Sequence, residues 1–107
     1  MTEPAKVVLR DAHDGADHRH LEVYDDAAGD LHIDGQDLGP GTAPVSDDGE
    51  YEWFQVVRAE HVPILLRSLG ASTEQPVLVA LRAAGADTVE QALRSGIIPV
   101  ERQVWGG

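Results

Sequence analysis

Apolar and polar positions alternate through the first half of the chain and then change period. Over residues 6–10, 20–24 and 31–34 the alternation and the short β-branched runs predict strands, because successive strand side chains point to opposite faces. Residues 51–58, YEWFQVVR, form the strongest strand of the set, aromatic and β-branched and preceded by the turn-forming pair Asp48 and Gly49. Beyond Ala59, Val62, Leu65, Leu66 and Leu69 recur on one helix face, closed by Gly70, and Pro63 fits only near the first turn. A second helix, following Ser72 or Thr73 as its cap, presents Val77, Leu78, Leu81 and Ala84 and stops at Gly85. A third has Asp87 and Glu90 at capping-box spacing, Val89 and Leu93 on one face, and Gly96 as its stop. A last strand within 97–105 carries Ile98, Val100 and Val104 on one side, with Pro99 marking an edge strand or an unpaired N–H.

Four strands, three helices and a further strand predict an α+β fold: an antiparallel sheet of four to five strands with about three helices packed on one face, in two layers. The whole chain, 1–107, reads as a single domain. Residues 1–58 are its acidic, mainly β half with a loop at 37–48 rich in Gly, Pro, Ser and Thr; 59–96 are helical and 97–105 form the final strand. Helices with only one apolar stripe need a sheet to cover. The inward set is then Val7, Leu9, Leu21, Val23, Leu31, Ile33, Trp53 and Val57 with the helix leucines. The strand order does not follow from the pattern.

Charge adds a second asymmetry. The net charge is −11, and up to Glu60 fifteen acids face four bases, whereas the remainder balances four against four. A field of this sign disfavours direct nucleic-acid binding and raises encounter rates with basic surfaces. The absence of cysteine excludes disulfides, thiolate catalysis and cysteine metal knuckles. The apolar runs are too short for a membrane span, and residues 1–10 show no secretory pattern, so a cytoplasmic protein is expected.

The segments LHIDGQDLG, DGEYEW and HVPILLRSLG, covering roughly residues 31–69, resemble small actinobacterial proteins of unassigned activity. An arginine-heavy, nearly lysine-free composition fits a GC-rich bacterial source. The resemblance implies a compact domain and transfers no functional residue.

Candidate chemistry concentrates in residues 11–34, where His13, His18, His20 and His32 stand among carboxylates. If the second and third strands pair so that His20 opposes Asp34 and Glu22 opposes His32, these four form one outward imidazole and carboxylate patch. Such donors suit zinc or a similar divalent metal, but the pattern favours two cross-strand charge pairs on a solvated face. No HExxH motif is present. Asp30, His32, Asp34 and Gly35 match the opening of a calcium loop, which fails because Gly41 stands where the bidentate glutamate belongs. No GxSxG elbow or phosphate-binding glycine loop occurs, so the sequence offers no catalytic residue.

Asp25, Asp26 and Asp30 fall in a predicted hairpin turn, contribute no core, and are candidates for engaging a basic protein together with Tyr51, Trp53 and Phe54. Alternation puts Tyr51 and Trp53 on one face and Phe54 on the other. The leading expectation is a non-enzymatic acidic binding module, in the manner of an inhibitor or immunity-type partner. The alternatives are a small metal- or ligand-binding enzyme using His20, Glu22, His32 and Asp34, and a homo-oligomeric structural domain pairing through an edge strand.

Overall fold

The computed structural model describes residues 6–14, 17–38 and 50–106. The expected two-layer α+β architecture is present. Five antiparallel strands run β1 (Lys6–Asp14), β2 (Asp17–Asp25), β3 (Leu31–Leu38), β4 (Glu50–Val57) and β5 (Glu101–Gly106), side by side in chain order. Between β4 and β5 come a 3-10 turn (Ala59–His61) and helices α1 (Val62–Ser68), α2 (Val77–Ala84) and α3 (Ala86–Arg94). No helix among the described residues is long and apolar enough to cross a membrane. The predicted loop at 37–48 lies outside the described residues except for Asp37 and Leu38, which extend β3.

The core sits between the helices and one face of the sheet. Leu21, Val23, Leu31, Ile33 and Val57 are fully buried from the sheet side, and Leu65, Leu78, Leu81 and Val89 close over them. Each such side chain contributes about 1.5–3 kcal/mol of transfer free energy. Gly35 belongs to the same face and leaves room for Trp53, its neighbour on β4: a Cβ at Gly35 would overlap the indole. Leu9 and Trp53 of the expected inward set pack against this core while only partly buried.

A bulge on β1 changes which residues face inward. The register jumps between Val8 and Arg10, leaving Leu9 as the extra residue, so Arg10 falls opposite Leu21 on the helix side. Its guanidinium bonds Asp87 and reaches Glu90 Oε1 at 2.6 Å. The capping-box expectation for α3 is therefore corrected. The helix starts after Gly85 without a side-chain cap, because its two acids are taken by Arg10 across the layers.

Two further boundaries differ from expectation. Ser72 Oγ accepts from the Glu74 N–H in a turn ahead of α2, whose N-cap is Pro76, so neither Ser72 nor Thr73 caps the helix. The last strand starts at Glu101 rather than near Ile98, since Pro99 has no N–H for the ladder; Ile98 is instead buried in the core. β5 is an edge strand, as Pro99 indicated.

Candidate functional site

All three helices cover the same face, and the opposite face has no layer over it among the described residues. Along β1 to β5 that open face carries Lys6, Val8, Asp11 and His13; then His18, His20, Glu22 and Tyr24; then His32, Asp34 and Gln36; then Glu52, Phe54 and Val56; and finally Glu101 and Gln103. Strand alternation puts them there, one residue away from the core positions, except that on β1 the bulge at Leu9 shifts the alternation and brings Asp11 and His13 to this face.

The β2–β3 register corrects the expected pairing. Glu22 opposes Asp34, His20 opposes Gln36, and His32 opposes Tyr24, a slip of two residues from the arrangement that joined each histidine to an acid. The hairpin turn is the cause. Asp26 N–H donates to the Asp30 carbonyl at 3.0 Å, and Ala27, Ala28 and Gly29 form the loop, with Gly29 at φ 85° in the left-handed region. The expected register would have centred the loop one residue earlier, putting Ala28 rather than Gly29 at the left-handed position. A slip of two keeps every side chain on its face but changes its partner. His20 and His32 consequently lie four positions apart along the β2 direction, about 13 Å, so one ion cannot bind both with bonds of about 2 Å.

The new partners create an electrostatic cost at the centre of the face. Glu22 and Asp34 are directly opposed like charges. Lys6 Nζ lies 3.2 Å from Glu22, whereas the half-buried Asp34 carboxylate accepts no side-chain hydrogen bond and forms no ion pair among the described residues. Partial burial pushes the Asp34 pKa up and Glu22 adds to the shift, against smaller opposing effects of His32 and Lys6. Phe54 stands opposite Asp34 on β4, and Tyr24 stacks on His32 with ring centroids 4.6 Å apart. The Tyr24 phenol is likewise raised, by burial first and then by Asp34.

The six residues expected to contact a partner separate into different roles. Asp25 is exposed at the end of β2. Asp26 builds the turn: its Oδ1 accepts from the Ala28 and Asp30 N–H groups at 3.0 Å each, and its Oδ2 lies 2.8 Å from His32 Nε2. These bonds, His32 foremost, hold the Asp26 carboxyl below its ordinary pKa. Asp30 ties the hairpin to the end of β4 by accepting from the Ala59 N–H at 2.8 Å and from Arg58 at 3.0 Å. The expectation that these turn acids are free of structural work is thus corrected for Asp26 and Asp30. Trp53 faces the helices, Phe54 faces the open side, and the Tyr51 side chain lies outside the described residues.

A second group on the open face was not singled out as a unit by the sequence reading. Asp11, His18 and His20 bring one ligand atom each within 4.8 Å of one another at the β1–β2 end of the sheet. The signal was only partly available in the spacing: Asp11-Ala12-His13 and His18-Arg19-His20 each put two donors on one face of a strand, but the bulge at Leu9 brings both pairs to the same face. On the covered face, a cleft of about 290 Å3 opens beside α3 among Trp53, Gln55, Glu90, Arg94 and Arg102, with Asp37 at its wall. Its acids and bases are mixed. The Asp37 carboxyl is raised by burial against the pull of Arg19 and Arg10.

Comparison of the chain with protein-family models, curated proteins and solved structures finds no match, so the functional reading rests on this geometry.

Proposed function

We propose that the protein is a non-enzymatic acidic binding module whose open sheet face engages a basic protein surface. The observation carrying this reading is the Asp34 carboxylate: half-buried, without a hydrogen-bond or ion-pair partner among the described residues, and opposed by Glu22. A sheet face selected for stability alone would place an opposite charge or a neutral pair at these positions. A lysine or arginine from a partner supplies the missing cation, and Phe54 and Tyr24 beside the carboxylates offer ring surface for its aliphatic stem or guanidinium plane. The net charge of −11 steers such a partner from a distance.

The test is titration with an arginine- and lysine-rich peptide, followed by amide chemical shifts. Shifts are expected on β2, β3 and β4 around Glu22, Asp34 and Phe54. Asp34→Asn with Glu22→Gln should weaken binding about tenfold, and binding should weaken further with salt. Glu60→Gln with Glu74→Gln, two exposed changes in the helical half that remove the same charge, serve as the control. Equal losses from both variants would mean that the peptide reads net charge only, and the docking reading would fail.

A further inference from the structure

We infer that the β1–β2 end of the open face is a binding site for a divalent first-row transition metal of the zinc class, held by Asp11, His18 and His20 with His13 beside them. The residues reach this place through two facts of strand geometry. Donors separated by one residue share a face, and the register pairs His13 with His18 and Asp11 with His20. The four side chains therefore form a compact square on one surface, whereas the β2–β3 register separates His20 from His32.

The atoms converge on a single carboxylate oxygen. Asp11 Oδ1 lies 2.6 Å from His18 Nε2, 3.7 Å from His13 Nε2 and 3.8 Å from His20 Nδ1. The His13 and His18 rings stack with centroids 4.0 Å apart. Ligand atoms around a tetrahedral zinc are separated by about 3.3 Å, given metal–ligand bonds of about 2.0–2.1 Å, so small rotations of these surface side chains bring Asp11, His18 and His20 to coordination distance. Three imidazoles and one carboxylate, with no thiolate, match the ligand preference of zinc and its neighbours rather than calcium or magnesium.

An independent observation concerns the far side of His20. With Nδ1 turned toward Asp11, its Nε2 lies 3.7 Å from Glu22 Oε2, and Glu22 is itself held by Lys6 at 3.2 Å. A histidine that ligates through one nitrogen commonly donates its other N–H to a carboxylate, which fixes the tautomer and makes the ligating nitrogen more basic. Glu22 lies just beyond hydrogen-bond distance of that nitrogen, and a small rotation of its side chain makes the bond. The negative charge of the surrounding half of the chain favours the cation further.

Calorimetric titration of the full chain with zinc chloride is the test, with thermal melting alongside. One zinc per chain is expected, with Tm raised by about 10 °C at hundredfold excess over Kd, because a ligand that binds only the folded state stabilises it by mass action. His18→Ala with His20→Ala should abolish both the heat and the shift, while His32→Ala leaves them unchanged. Cobalt substitution should give the visible absorption of a tetrahedral nitrogen and oxygen site. The variant sites are at the surface, and circular dichroism verifies that the variants fold. Absence of heat and of any shift at millimolar zinc would overturn the assignment. So would binding that survives loss of His18 and His20 or is lost with His32. Peptide binding retained by the His18 and His20 variant separates this site from the docking reading.

Discussion

Ile33 and Asp34 are adjacent on β3, yet one is sealed beneath the helices and the other stands on the open face against a second carboxylate. The covered face is organised by packing: leucine, valine and isoleucine fill it, Gly35 makes way for Trp53, and Arg10, turned inward by the bulge, is met by Asp87 and Glu90. The open face leaves conflicts standing. Glu22 and Asp34 repel across the ladder, and imidazoles crowd Asp11 at one end. Residues of one strand thus follow two different selections, packing on one side and retained charge on the other. Local conflicts of this kind mark where function, rather than stability, has shaped a surface.

The contrast can be broken most severely on the covered side. Ile33→Ala should cost about 2–5 kcal/mol in denaturant unfolding, since it deletes a side chain buried from all directions and leaves a cavity. The neighbouring Asp34→Ala should not destabilise at all at neutral pH. Comparable losses from the two would mean that the open face is covered in the native protein. Gly35→Ala should come next, at about 1–3 kcal/mol, because the added methyl must displace the Trp53 ring. Fluorescence in a Trp105→Phe background, where Trp53 is the one tryptophan left, checks the cause: the emission should shift with the substitution, and an unchanged spectrum would place the strain elsewhere.

The legible and illegible parts of the sequence divide along the same line. Alternation and helix spacing gave the strands, the three helices, the fold class and most of the core, because burial of Leu21, Val23, Leu31 and Ile33 forces a period of two whatever the strand order. The facing of Phe54 was readable for the same reason. Register was not. It depends on the loop geometry of Asp26 to Asp30, where Gly29 takes a positive φ and Asp26 accepts two backbone N–H groups, and a two-residue slip leaves the hydrophobic pattern unchanged. The pairings at Glu22 and His32 were therefore wrong although their faces were right. Asp87 and Glu90 show a second limit: the spacing of a capping box also fits two acids that meet Arg10, and the bulge that turns Arg10 inward has no local signature in the chain.

The smallest effect gives the sharpest test of the contrast, because it has an unusual sign. Asp34 has its carboxyl pKa raised in the fold, by burial and then by Glu22, so the fold favours its protonated form. Whatever stability this group contributes is present below its unfolded pKa and is lost as pH rises through the folded value. At neutral pH the ionised Asp34 is therefore a net cost, and Asp34→Asn should stabilise the protein by about 0.5 kcal/mol, the scale of one like-charge cross-strand pair in a partly solvated setting. The gain should vanish in acid, where wild type and variant both carry a neutral side chain. Asp11 and Asp26 have the opposite sign: His18 and His32 hold their pKa values low, and the stability they add is lost as pH falls through those lowered values. Unfolding curves of wild type and Asp34→Asn between pH 3 and pH 7 should thus diverge as pH rises, with the variant the more stable. A variant of lower stability at neutral pH would mean that Asp34 already has a cationic partner within the chain, and the open face would lose the conflict on which the proposed docking role depends.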